Sequence, residues 1–151
     1  MPAGSELPAL PRTWRPLGPR VVGVAVTCAL VAVVAAGWFG FDDEEKARFT
    51  WLQRGTLIFF GLLYLALMFA LIRSRAVAYA DRLVVVNGFR RHEFEWPQIV
   101  AARLPPGAPW VTLDLADGET ASVMGIQGSD GRRARVALGE LRALVEAASA
   151  L

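Results

Sequence analysis

Two uncharged apolar stretches, residues 21–41 and 55–72, dominate the pattern of hydrophobic positions along the chain. Neither stretch contains Asp, Glu, Lys, Arg or His. An α-helix rises 1.5 Å per residue, so about 20 residues cross a hydrocarbon core about 30 Å thick. The first stretch reaches that length and the second lies at its short end. The pattern therefore predicts a transmembrane helical hairpin over 21–72, with its loop at 42–54.

The segments beside the hairpin predict its orientation. Residues 1–20 contain five prolines, which disfavours a packed element and predicts a flexible cytoplasmic tail. Six arginines flank the hairpin, against three basic residues in its loop, and positive residues favour the cytoplasmic side. The six are Arg12, Arg15, Arg20, Arg73, Arg75 and Arg82. We therefore expect a multi-pass protein of the cell membrane with both termini in the cytoplasm, and with Trp14, Trp38 and Trp51 near the membrane interfaces.

The first apolar stretch carries small residues at every fourth position. This small-residue stripe consists of Cys28, Ala32, Ala36 and Gly40. Small side chains let two membrane helices approach closely, so the stripe predicts a helix-packing surface. It is suited to packing against the second stretch of the same chain or against another copy, which leaves a homo-oligomer open.

After residue 72 the pattern changes to short Val-rich runs bounded by turn residues, which predicts about six antiparallel strands. The runs are 76–80, 83–87, 89–95, 99–104, 110–116 and 119–126. Asn87-Gly88 and Asp117-Gly118 are typical two-residue hairpin turns. Apolar residues then recur at three- and four-residue spacing from Ala134 to Ala148, as in an amphipathic helix. Ser129 or Asp130 is expected to cap that helix, and the fold class is α+β.

The motifs of this C-terminal region resemble a known family. They are the run DRLVVVNGFRR at 81–91, the Trp96-Pro97 break, Asp117-Gly118, and SDGRR at 129–133. They resemble the bacterial pleckstrin-homology-like (PH-like) domain of small two-span membrane proteins common in actinobacteria. The resemblance implies a PH-like antiparallel β-barrel or sandwich of about six to seven strands with a C-terminal helix, here assigned to residues 73–151. It implies no catalytic signature.

Residues suited to catalysis or metal binding are few. His92 is the only histidine and Cys28 the only cysteine, so the usual ligand sets of structural metal sites are missing. Asp114, Asp117 and Glu119 cluster at a hairpin turn, where Asp and Gly are favoured for backbone reasons. We expect no enzyme, no cofactor and no metal site.

Strand direction predicts which turns face the membrane. Only three residues separate the second stretch from the first strand, so the domain stays within about 10 Å of the bilayer. Alternating strands then place Asn87-Gly88, the 105–109 loop and residues 128–135 at the membrane-proximal end. The arginines expected to contact anionic lipid headgroups there are Arg73, Arg75, Arg90, Arg132, Arg133 and Arg135. An ordinary solvated basic surface is the alternative.

Together these features predict a non-enzymatic, membrane-tethered interaction module on the cytoplasmic face of the cell membrane. It would bind a protein partner, anionic lipid headgroups or both, and no nucleic acid. The alternative is a small accessory subunit of a membrane transport or secretion complex, in which the membrane helices would form the binding surface.

Overall fold

The computed structural model describes residues 7–150, which form a helical hairpin and a β-domain closed by a helix. The helices are α1 (Gly18–Gly40), α2 (Asp43–Arg48), α3 (Trp51–Arg73) and α4 (Arg132–Ser149). The strands are β1 (Arg12–Trp14), β2 (Arg75–Ala78), β3 (Arg82–Asn87), β4 (Arg90–Glu95), β5 (Ile99–Arg103), β6 (Trp110–Leu115) and β7 (Thr120–Gln127). Single 3₁₀ turns lie at Trp96–Gln98 and Gly128–Asp130.

The two long helices coincide with the two apolar stretches, although α1 begins three residues earlier and ends one residue earlier than predicted, and α3 extends beyond its stretch at both ends. Each has 23 residues, which corresponds to about 34 Å. α3 begins at Trp51, four residues before the predicted start, because Thr50 and Gln53 form a capping box around its first turn. The loop between the long helices contains α2, which begins with a second capping box.

α1 and α3 pack as an antiparallel pair. Gly23 faces Met68, and the Thr27 hydroxyl lies 3.1 Å from the Tyr64 hydroxyl. At the end far from the β-domain, the guanidinium of Arg54 lies over the rings of Trp38 and Trp51. Gly23 is the one buried residue of the two long helices, so neither is the core helix of a soluble domain.

The β-domain consists of two antiparallel sheets, β1-β2-β3-β4 and β5-β6-β7, with α4 packed mainly against β5, β7 and the two 3₁₀ turns. The core lies between the sheets and α4. Its largest fully buried side chains include Leu83, Ile99, Val111, Leu113, Ile126 and Leu141. The structure confirms the predicted α+β architecture, and the six strands predicted after residue 72 correspond to β2–β7 with small differences at their ends.

β1 is the main difference from the sequence prediction. It lies in the segment that was expected to be a flexible tail, and it pairs antiparallel with β2 (Arg12 opposite Ala78, Trp14 opposite Ala76). The prolines flank the strand instead of interrupting it, and Trp14 buries its large indole in the core, where it is only 6% exposed. The expectation that Trp14 lies at a membrane interface is therefore wrong. Residues 1–6 of the predicted tail lie outside the described residues.

This strand also explains the strand count. Within residues 7–150, six strands follow the hairpin and a seventh precedes it. The whole helical hairpin is thus inserted between β1 and β2, two neighbouring antiparallel strands of one sheet. Because the end of β1 and the start of β2 lie side by side, both long helices connect to the same end of the β-domain.

Candidate functional site

Polar contacts at two helix ends hold the helical hairpin: one joins it to the β-domain, and the other joins its two long helices. The carboxylate of Asp130 accepts hydrogen bonds from the backbone N–H groups of Leu17 (2.9 Å) and Gly18 (2.7 Å) at the start of α1. The guanidinium of Arg20 donates two hydrogen bonds to the carbonyl of Ile72 near the end of α3 (2.9 and 2.5 Å). An acid at a helix N-terminus and a cation at a C-terminus satisfy backbone groups that lack partners within the helix.

This use of Asp130 corrects a sequence prediction. Ser129 or Asp130 was expected to cap α4, but both lie in the 3₁₀ turn before it, and α4 has no side-chain cap. The residue directly before α4 is Gly131, whose φ of 57° lies in the left-handed region that favours glycine. The carboxylate instead reaches the start of α1, more than a hundred residues away in the chain.

A third contact holds the β3–β4 turn against α3. The fully buried hydroxyl of Ser74 donates to the carbonyl of Ala70 (3.1 Å) and accepts from the N–H of Gly88 (3.0 Å). The rings of Phe69 and Phe89 lie 6.3 Å apart. The Asn87-Gly88 turn therefore lies beside the hairpin, as strand direction predicted.

A basic cleft opens beside the start of α1. We define the basic cleft by Thr13, Arg15, Arg132 and Arg133, which line a cavity of about 410 Å³ between β1 and the first turns of α4. A second cavity of about 390 Å³ adjoins it and shares Thr13, Arg15 and Arg133. Arg20 and Leu17 line the second cavity, so the cleft reaches the residues where α1 begins.

The charges around the basic cleft are unevenly paired. Glu140 accepts two hydrogen bonds from the guanidinium of Arg12 (2.9 and 2.7 Å) and one from the indole N–H of Trp14 (2.7 Å). Asp130 is occupied by the α1 backbone. Within residues 7–150, no carboxylate forms an ion pair with Arg15, Arg132 or Arg133. The cleft therefore carries an uncompensated positive charge, to which the uncapped N-terminus of α4 adds.

The six predicted headgroup arginines do not form one cluster. Arg132 and Arg133 line the basic cleft, whereas Arg135 lines a separate cavity beside the 105–109 loop. Arg73 and Arg75 are exposed where α3 meets β2, and Arg90 is exposed at the start of β4. Sequence reasoning missed Arg15 and Arg20 as site residues, because it used the arginines before the first apolar stretch only to orient the hairpin. The sequence signal that could have found them is the high density of arginines directly before that stretch.

The small-residue stripe does not form the contact between the two long helices. Cys28, Ala32, Ala36 and Gly40 are all exposed, and nothing lies within 4 Å of the position that a Cβ would take at Gly40. Gly23 and Thr27 face α3 instead. The stripe residue Cys28 follows Thr27 by one position, so it points about 100° away from that contact around the helix. The prediction that the small-residue stripe packs against the second helix of the same chain is therefore wrong. Packing of the stripe against another copy stays a prediction.

The C-terminal domain matches a known family. Residues 73–144 match the bacterial PH domain. The chain belongs to the bacterial PH domain family. This confirms the resemblance seen in the sequence, and proteins of the PH-like family are generally non-enzymatic.

Mycobacterial relatives extend this similarity beyond the PH domain. The uncharacterized proteins Mb1452 of Mycobacterium bovis, and MT1460 and Rv1417 of Mycobacterium tuberculosis, are each 31% identical to the chain over 132 residues. That match covers 87% of this chain and 84% of each relative, so it includes residues of the helical hairpin. No solved structure is significantly similar to the chain.

Proposed function

We propose that this bacterial PH domain protein is a non-enzymatic module of the cell membrane, which binds anionic phospholipid headgroups on the cytoplasmic side through its basic cleft. The observation that carries the proposal is the position of Arg15, Arg132 and Arg133, three arginines without an ion-pair partner within residues 7–150, in a cleft that reaches the first turn of α1. In this proposal α1 and α3 span the bilayer, so the cleft opens at the level of the headgroups.

The topology supports this placement. β1 and β2 are neighbours in one sheet, so α1 and α3 enter the membrane from the same side. The short connections from Trp14 to Gly18 and from Arg73 to Arg75 keep the β-domain at the bilayer surface. The arginine distribution supports the cytoplasmic side for the β-domain.

The chemistry of the cleft favours a phosphate group. Guanidinium groups form paired hydrogen bonds with phosphate oxygens, and they are less strongly hydrated than a lysine ammonium. Each arginine near an anionic leaflet contributes about 1 kcal/mol, less at high salt. Bound headgroups would orient the β-domain and so present its outer surface to a protein partner.

The test uses the full chain in mild detergent and two short-chain lipids as probes, dioctanoyl phosphatidylglycerol and dioctanoyl phosphatidylcholine. We expect tighter binding of phosphatidylglycerol. Arg15→Gln combined with Arg133→Gln should weaken it by about 10- to 30-fold, the effect of two arginines at about 1 kcal/mol each. Arg75→Gln combined with Arg90→Gln is the matched control, because it removes the same charge from exposed positions outside the cleft.

Equal losses in the two double variants would show diffuse attraction to a basic surface and contradict a site in the cleft. Equal binding of the two lipids by the unmodified protein would contradict anion binding altogether. Inorganic phosphate, titrated separately, distinguishes a lipid headgroup from a free anion as the ligand.

The exposed small-residue stripe favours a second candidate, a small accessory subunit of a membrane transport or secretion complex. In this case the stripe would pack against a helix of another protein. Ala32→Leu or Ala36→Leu should then abolish co-purification of that partner from native membranes. Val31→Leu is the control, since Val31 is exposed and precedes the stripe residue Ala32 by one position. Retained co-purification in the stripe variants would reject the accessory-subunit function.

A further inference from the structure

We infer that the turn between β3 and β4 enters the bilayer, with the Phe89 side chain among the acyl chains next to α3. The turn is thus a membrane anchor formed by the PH domain itself. The inference rests on the membrane placement in the proposed function, but it does not depend on anion binding in the basic cleft.

The depth of the turn follows from its contacts with α3. Gly88 donates to the Ser74 hydroxyl, and a Cβ at Gly88 would lie 3.3 Å from the Cβ of Ala70. Phe89 pairs with Phe69, which lies four residues before the end of α3. Four residues correspond to about 6 Å along the helix, so the tip of the turn lies one helical turn inside the hairpin.

The position of the membrane boundary on α3 places that level within the apolar layer. At the far end of the hairpin, Trp38 and Trp51 pack with Arg54, as aromatic and basic residues do at an interface. The uncharged stretch of α3 ends at Ile72, directly before Arg73, and Ile72 lies 21 residues after Trp51, close to the roughly 20 residues that cross a hydrocarbon core. Phe69 lies about 4 to 5 Å inside this boundary by helical rise, and Phe89 lies beside it.

The exposure of the two rings identifies lipid as their surroundings. Phe89 is 64% exposed and Phe69 is 56% exposed, so neither ring is buried between the domain and the hairpin. Both rings continue the apolar surface of α3, which includes Leu62 and Leu65. Arg90 follows directly and is exposed, so a charged residue lies where the strand leaves the apolar layer toward the headgroups.

The experiment measures the surroundings of a fluorescent label on the full chain in phosphatidylcholine vesicles, which carry no net charge. In a Cys28→Ala background, Phe89→Cys is labelled with an environment-sensitive dye and quenched either by nitroxide-labelled lipid or by aqueous iodide. Val100→Cys is the matched control, because Val100 is 63% exposed and follows the Trp96–Gln98 turn at the opposite end of β4.

We expect the label at position 89 to be quenched several-fold more by the lipid nitroxide than by iodide, and the label at position 100 to show the reverse. Equal iodide quenching at both positions would overturn the inference. If Phe89→Cys fails to fold, Arg91→Cys replaces it. Position 91 lies about 7 Å further along the chain than position 89. A label at position 91 should still be quenched more strongly by the lipid nitroxide than a label at position 100.

A label on the native Cys28 separates the two possible failures. Cys28 lies within α1, so lipid quenching at this position reports insertion of the hairpin. Lipid quenching at position 28 together with iodide quenching at 89 would reject the membrane anchor alone. Iodide quenching at both positions would reject the membrane placement and the anchor together.

Discussion

The β-domain has two ends that are held together by different contacts. At the end that adjoins the helical hairpin, Asp130 binds the backbone of Leu17 and Gly18 across more than a hundred residues of chain. At the opposite end, Asp117 accepts a hydrogen bond from the N–H of Glu119, and Gly118 donates to Leu115 within the same turn. Long-range hydrogen bonds therefore shape the end that carries the basic cleft, whereas local ones close the Asp117-Gly118 turn at the other end.

The difference has a physical consequence. A contact between distant segments must offset the entropy of bringing them together, so it depends on every element that positions its partners. A local turn depends mainly on its own residues. Substitutions at the end that adjoins the helical hairpin should therefore disturb β1, α1 and the cleft together, whereas substitutions in the Asp117-Gly118 turn should act within that turn.

The largest expected effect compares two buried tryptophans. Trp14 and Trp96 are each 6% exposed, so Trp14→Ala and Trp96→Ala should each lower the free energy of unfolding by about 3–5 kcal/mol. Only Trp14→Ala removes the side chain that anchors β1. We therefore expect trypsin to cleave after Arg12 in Trp14→Ala under conditions in which Trp96→Ala stays intact there. Thermal unfolding and mass spectrometry of limited digests measure the two effects.

Equal protection of the N-terminal peptide in both tryptophan variants would contradict this role of Trp14. It would mean that the pairing of three residues with β2 is enough to hold β1 in place. Cleavage in both variants would mean that β1 responds to the stability of the whole domain.

The next effect compares two aspartates. Asp130→Ala removes two hydrogen bonds and the charge at the start of α1, as in the loss of a helix N-cap, and should cost about 1–2 kcal/mol. Asp117→Ala removes one hydrogen bond in an exposed turn and should cost less. Hydrogen exchange of the Leu17 and Gly18 amides should accelerate only in Asp130→Ala. Unchanged exchange there would show that the carboxylate does not hold the start of α1.

The same difference explains how much the sequence predicted. The turns at Asn87-Gly88 and Asp117-Gly118 were predicted because their residues favour the required backbone conformations locally. The long helices and α4 were predicted from apolar spacing, which is also local. These signals were sufficient for the α+β class and for six of the seven strands in the part of the chain that the structure describes.

The remaining features depend on partners far away in the sequence. β1 is only three residues long and lies among prolines, so its strand character comes from pairing with β2 and from the burial of Trp14. The role of Asp130 depends on where α1 begins in space, and the local pattern indicated only the nearer helix. Of the residues that define the basic cleft, only Arg132 and Arg133 were predicted from the sequence as site residues. Arg15 reaches the cleft only because β1 joins the sheet.

The smallest expected effect concerns Glu140, which neutralises Arg12 at the rim of the basic cleft. The pair is partly exposed, so Glu140→Gln should cost only about 0.2–1 kcal/mol of stability. The same change leaves the positive charge of Arg12 unpaired, and binding of dioctanoyl phosphatidylglycerol by the full chain should tighten. Glu146→Gln is the control, because Glu146 is an exposed acid further along α4. Equal tightening in both variants would show that net charge alone governs binding, whereas tightening in Glu140→Gln alone assigns the effect to the cleft.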